Sequence, residues 1–149
     1  MRIISGLKKG YKIITKKKQI ARPISDKNRE TIFNLLIHGK EINELNFSLE
    51  NSNVLDLFAG TGSFSFEALS RGAAHATLIE NDSDMVDIIY ENIDKLEFQS
   101  KTTVHHKDCM KFQSINFDKK FNLIYVDPPY KKELEKKLLE RIFMNNNFE

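Results

Sequence analysis

From residue 53 onward, short β-favouring runs alternate with helical periodicities: strands over 54–58, 76–80, 102–106 and 121–126, and helices over 63–71, 83–96 and 132–143. Alternation of this kind predicts an α/β fold, a parallel sheet with helices on its faces. Within 83–96, Val86, Ile89, Ile93 and Leu96 recur at steps of three and four, the stripe a helix needs to bury one side. In open parallel sheets ligands collect at the carboxyl ends of the strands. The residues that follow each strand are therefore where chemistry is expected.

The 149 residues are 40% hydrophobic and contain no apolar run of membrane-spanning length, which predicts one soluble domain with a core of its own. Met1 to Gly6 carries no secretory pattern and the single Cys109 cannot form an internal disulfide, so a reducing cytoplasm is the expected location. Charge is uneven. Residues 1–30 hold ten Lys/Arg against Asp26 and Glu30, a local +8 in a chain of net charge +2, which leaves −6 for the remainder. A basic arm on an acidic body suits a polyanionic partner through counterion release; a solvated lysine-rich tail has the same composition.

The runs 2–4 and 11–15, separated by Gly6-Leu7-Lys8-Lys9-Gly10, predict a basic β-hairpin. After Pro23, Ser25 or Asp26 can cap a helix with Ile32, Phe33, Leu36 and Ile37 on its apolar face, ending near Gly39. Residues 40–53 read as a loop. The expected organisation is a basic hairpin and helix over 1–40, suited to a polyanionic partner, followed by an α/β domain over 41–149.

Val54-Leu55-Asp56-Leu57-Phe58-Ala59-Gly60-Thr61-Gly62-Ser63 is a strand running into a glycine turn and a helix, and Glu80 ends the next strand twenty residues after Gly60. A carboxylate at that distance suits two ribose hydroxyls. The third glycine of a dinucleotide fingerprint is replaced by Ser65. Asp56 would repel a pyrophosphate but attract the ammonium and sulfonium of S-adenosylmethionine, which favours the methyl donor over NAD. Asp108, with Cys109 beside it offering a backbone N–H, is either the partner of an adenine amino group or a helix cap.

Asp127-Pro128-Pro129-Tyr130 follows the strand over 121–126. Its prolines remove two backbone donors and make a stiff loop. Asp127 and the Pro128 carbonyl can accept from the hydrogens of a planar amino group, whose lone pair is otherwise delocalised, and Tyr130 can stack on the ring. In-line transfer to such a nitrogen relies on alignment and requires no metal. His105 and His106 point to opposite faces of a strand, and His38 and His75 lack partners at ligand spacing, so no metal site is expected.

With these motifs in hand, the chain resembles the RsmD family of bacterial 16S ribosomal RNA guanine-N2 methyltransferases. The resemblance rests on Arg2-Ile3-Ile4-Ser5-Gly6 with Lys9-Gly10, on Arg22-Pro23-Ile24-Ser25-Asp26 with Arg29-Glu30-Thr31-Ile32-Phe33-Asn34, on Leu55 to Gly62, on Glu67-Ala68-Leu69-Ser70-Arg71-Gly72-Ala73, and on Asp127 to Tyr130. It implies a Rossmann-like class I methyltransferase fold with strand order 3-2-1-4. Asp56, Phe58, Ala59, Gly60, Thr61, Gly62, Glu80, Asp108 and Cys109 would then hold S-adenosylmethionine, and Asp127, Pro128, Pro129 and Tyr130 would hold guanine. It further implies that Arg2, Lys8, Lys9, Lys16, Lys17, Lys18, Arg22, Ser25 and Arg29 bind rRNA of the small ribosomal subunit. Other substrates for the same motifs are DNA adenine and a protein glutamine amide; an inactive RNA-binding or assembly module is the non-enzyme alternative. Ile24 and Ser65 depart from the family pattern. Family members also continue into further strands after the last helix, whereas this chain ends at Glu149. The expectation is a shortened product with strand 121–126 as an exposed apolar edge, monomeric unless that edge pairs.

Overall fold

β1 (Asn53–Leu57) is buried at every residue after Asn53, as a strand covered on both faces must be. The structure, a computed structural model, describes residues 1–15, 24–115, 117–128 and 132–143. β2 (His75–Glu80) and β4 (Leu123–Val126) flank β1, and β3 (Thr102–His106) lies beyond β2. All pairs are parallel, as the alternation predicts, and the order is β3-β2-β1-β4, as the family resemblance implies. Among the described residues β3 and β4 are the edges, and all four residues of β4 are half-buried.

Strand alternation divides the core in two. Val54, Ala76 and Leu78 point to one face, where they meet Phe66, Leu69, Ile89, Ile93 and the amino-terminal Ile3, Ile13 and Phe33. Leu55, Leu57 and Ile79 point to the other, against Cys109, Phe121, Leu138 and Ile142. The first face is covered by α1 (Asp26–His38), α3 (Ser63–Ser70) and α4 (Ser83–Leu96), the second by α5 (Lys132–Phe143). α4 occupies the predicted span. Its start is fixed by Asp82, whose carboxylate accepts from the Asp84 and Met85 amides, and its apolar stripe is buried.

Three local expectations change. Ser25 caps α1 and Gly39 ends it, but Ile37 is exposed and only Phe33 of the supposed apolar face is fully buried. Residues 40–53 are not all loop: Gly39 closes α1 and opens α2 (Lys40–Glu44), its carbonyl accepting from the Asn43 amide at 3.0 Å. The amino-terminal hairpin reduces to a single antiparallel bridge, Arg2 to Lys12, flanked by Ile3 N–H to the Tyr11 carbonyl and Gly10 N–H to the Ile3 carbonyl, both 2.9 Å.

The turn of that segment is also hydrogen-bonded to α3. Leu7 N–H donates to the Ser70 carbonyl at 2.7 Å, Lys8 N–H to Ser70 Oγ at 2.9 Å, and Ser70 Oγ to the Ser5 carbonyl at 2.6 Å. Gly6, at φ +82°, is required here because a Cβ would lie 1.8 Å from the Ser70 oxygen.

Candidate active site

The turn after β1 is strained and closely tied. Phe58 stands at φ +63°, a left-handed conformation that a bulky residue adopts only when its surroundings impose it. Phe58 N–H donates to Cys109 Sγ at 3.2 Å, Ala59 N–H to the Ile79 carbonyl at 3.0 Å, and Gly60 N–H to Glu80 Oε2 at 2.7 Å. The other Glu80 oxygen accepts from the Asn81 and Asp82 amides at 2.8 and 2.9 Å. One carboxylate thus joins the turn to the end of β2. Above Gly60 there is open space, with no heavy atom within 4 Å of where a Cβ would stand, whereas at Gly62 a Cβ would press on Phe66 at 2.6 Å.

Asp56 lies beneath this turn, 1% exposed. Oδ2 accepts from Ser65 Oγ at 2.7 Å, and Oδ1 has no hydrogen-bond partner among the described residues. Burial pushes the acid up to about 7; the Ser65 hydrogen bond opposes this, while the nearby Glu80 and Asp127 charges add to it. Ser65 is therefore more than a departure from glycine, since its hydroxyl holds one oxygen of the acid. The sequence shows the residue but not the tight turn that carries it back onto β1.

The pairing of β1 with β4 in register, Leu57 opposite Val126, sets the Asp127 loop beside the glycine turn. Asp127 is exposed, and its Oδ2 accepts from the Tyr125 hydroxyl at 3.3 Å. Tyr125 stacks on Phe64, ring centres 3.8 Å apart and 6° from parallel, and Phe64 stacks on Phe33 of α1 at 4.8 Å. Burial, then the Asp127 charge, raise the Tyr125 phenol far above its ordinary range, so the hydroxyl remains a donor. By sequence alone Tyr125 is one residue of an apolar strand. Its place two residues before Asp127, on the same strand face, was the available signal.

Asp108 is half-buried and its Oδ1 accepts from the Met110 amide at 2.9 Å, the capping interaction anticipated as one of its two uses. Cys109 is buried and its thiol is pushed up to about 12 by burial, which leaves it protonated and unreactive. Pro128 is half-buried after Asp127. Pro129, Tyr130, Lys16, Lys17, Lys18 and Arg22 lie outside the described residues.

The basic residues separate. Arg2, Lys9 and Ser25 are exposed, and Ser25 Oγ accepts from the Asn28 amide. Lys8 pairs with Glu97 at the end of α4. Arg29 does not share the surface position expected of it. Its side chain is wholly buried, paired with Asp26 at 3.0 Å and with Glu67 at 3.6 Å, and it donates to the Arg2 carbonyl. Glu67, itself fully buried, also accepts from the Ile4 and Ser5 amides and from Arg71 Nε at 2.7 Å. A charge so enclosed must be paired within the protein, and pairing is what draws Arg29 inward.

A separate cleft lined by Leu36, Ile42, Phe47 and Asn122 lies at the amino ends of the strands, away from this site. Among the described residues no cluster of His, Cys, Asp and Glu is placed to hold a metal, and no helix is long and apolar enough to cross a membrane.

A parallel sheet in this order, with a glycine turn after its central strand and an acid-bearing loop after the adjacent one, defines a Rossmann-like class I methyltransferase fold. The sequence matches the family described as "Conserved hypothetical protein 95" over residues 1–149. The chain belongs to this family, the RsmD family of methyltransferases. It is 30% identical to the ribosomal RNA small subunit methyltransferase D of Haemophilus influenzae, across 98% of this chain and 72% of the relative. A Rickettsia prowazekii protein named only as an uncharacterized methylase is 32% identical over 98% of this chain and 80% of its own length. The solved structure of Escherichia coli yhhF superposes with a TM-score of 0.75 at 31% identity, covering 94% of this chain and 70% of that one.

Proposed function

We propose that the chain transfers a methyl group from S-adenosylmethionine to the exocyclic N2 of a guanine in 16S rRNA of the small ribosomal subunit. The observation that carries this reading is the adjacency of two carboxylate sites at the carboxyl ends of β1 and β4, one around a glycine turn with open space and one exposed beside it. The names of the relatives support rRNA as the substrate class. The guanine amino group follows from the family resemblance and from the acceptor chemistry of Asp127.

The residues present fit the cofactor. Asp56 Oδ1 is a buried acceptor lacking a partner among the described residues, which an ammonium group would satisfy. Glu80, oriented by three backbone donors, would take ribose hydroxyls, and Gly60 leaves the space a side chain would fill. S-adenosylmethionine, when bound, supplies an electrophilic methyl group. Asp127 would accept from the guanine amino hydrogens, orienting the nitrogen lone pair, and would receive or relay the proton shed once that nitrogen is alkylated. Tyr125 holds the Asp127 carboxylate through Oδ2 and so fixes where the amino group must lie. Exposed Arg2 and Lys9, with the basic residues 16–18 and Arg22, would contact RNA phosphates; Arg29 would instead brace residues 1–5 against α3.

The test is methyl transfer from labelled donor to unmodified small subunits, free DNA and a glutamine-containing peptide, followed by nucleoside analysis. Label recovered as N2-methylguanosine from 16S rRNA is the expected result. Label in adenine or in peptide would replace the reading, and RNA binding without transfer to any substrate would favour an RNA-binding module.

A further inference from the structure

Asn92 interrupts the apolar stripe of α4. It stands among Ile89, Ile93 and Leu96, is fully buried, and its amide is shared between two distant parts of the chain. Oδ1 accepts from the Ile14 amide at 2.7 Å, while Nδ2 donates to the Ile14 carbonyl at 3.1 Å and to the Thr61 carbonyl at 3.2 Å. These partners fix the orientation of the amide, because its reversal would set NH2 against the Ile14 N–H and oxygen against two carbonyls. Thr61 is the residue between Gly60 and Gly62 in the turn described above. Ile14 lies two residues before Lys16. A second strut runs beside the first: Met1 Sδ accepts from Thr61 Oγ1 at 3.9 Å, and the Met1 carbonyl accepts from the Ile13 amide at 3.2 Å.

Whatever displaces residue 14 therefore acts on the carbonyl of residue 61 through one side chain, itself fully buried and joined to that carbonyl by a buried hydrogen bond. Resting on the function proposed above, we infer that Asn92 is a positioning residue that couples RNA contact by the amino-terminal segment to the affinity of the cofactor turn. Linkage is reciprocal, so RNA tightens cofactor binding by the same factor by which cofactor tightens RNA binding. An amide that only satisfied nearby backbone groups would contribute to stability and leave the two affinities independent.

Titration calorimetry with S-adenosylhomocysteine, on protein alone and on protein saturated with unmodified 16S rRNA, separates these roles. The wild type should bind at least about fivefold tighter with RNA present, within the usual range of coupling between sites. Asn92→Ala should reduce that ratio to roughly one while still binding each partner. Ile89→Val, which removes a methyl group from the same buried stripe, should lose stability but keep the wild-type ratio. Hydrogen exchange in the wild type needs no variant to fold: RNA should slow exchange of the amides over 59–62. An undiminished ratio in Asn92→Ala, or no change in exchange over 59–62, would overturn the coupling and leave the proposed function standing. A wild-type chain that bound neither partner would overturn both.

Discussion

The turn after β1 and the loop after β4 lie side by side but are held differently. Glu80 alone receives three backbone hydrogen bonds between 2.7 and 2.9 Å, and Asp56 is buried beneath the turn with Ser65 on one oxygen. Asp127, by contrast, is exposed and receives one hydroxyl at 3.3 Å. The first arrangement shapes a pocket in advance, at the cost of a strained Phe58 and an acid far from its ordinary ionisation. The second leaves its acceptor open to a partner that must arrive from solution. Binding of the cofactor and chemistry on the acceptor should therefore respond to different substitutions.

The largest effect on stability and cofactor affinity is expected at Glu80. Glu80→Ala leaves three backbone donors without their acceptor, and should lower stability by about 2–4 kcal/mol and weaken cofactor binding roughly 100-fold. Denaturant unfolding and calorimetry read the two losses. Retention of wild-type cofactor affinity would remove the turn from the binding site.

Asp56→Asn should trade stability against affinity. The acid is held near pKa 7 in the fold against 3.8 when unfolded, so the folded state keeps a proton that the unfolded state has lost between these values. Wild-type stability consequently falls as pH rises from about 4 to about 7 and stays lowered above it. The substitution removes this dependence: the variant should be more stable than wild type at pH 8 by on the order of 4 kcal/mol, with the difference vanishing near pH 4. Its cofactor affinity should fall about tenfold, as expected for a lost charge-assisted contact. In the wild type, affinity should also weaken as pH drops below about 7, when Asp56 takes up its proton. Unfolding curves of equal pH dependence in the two proteins would contradict the burial argument.

Tyr125→Phe is the mildest change. It keeps the stack on Phe64 and removes only the hydroxyl on Asp127, so turnover should fall about threefold to tenfold with cofactor affinity unchanged, the effect of one modest hydrogen bond. A loss of affinity instead would mean that the two regions are not separable at this residue.

Much of the frame could be read from the residues because its determinants are local. Asp82 and the stripe Val86-Ile89-Ile93-Leu96 define α4 without help from elsewhere, and Gly60 and Gly62 mark their turn by type and spacing. What escaped the sequence depends on partners far along the chain. The hairpin is a single bridge whose turn is also bonded to Ser70, and Arg29 is drawn from the surface by its pairing with buried Glu67. Tyr125 is one residue of an apolar run by sequence, and only the strand places it over Phe64 and against Asp127; the hydrogen bonds of Asn92 to Ile14 and Thr61 likewise join residues far apart in the chain. In each case the residue was visible and the contact that gives it a role was not.

The division between a preformed donor site and an open acceptor site is tested most directly at Asp127, by measuring cofactor affinity and the single-turnover rate of methyl transfer to unmodified small subunits on the same Asp127→Ala protein. The rate should fall by about 1000-fold, the range of a lost acid–base and positioning group, while cofactor affinity stays within about twofold of wild type. A variant that transfers methyl groups at the wild-type rate, or one that loses cofactor and turnover together, would contradict the account.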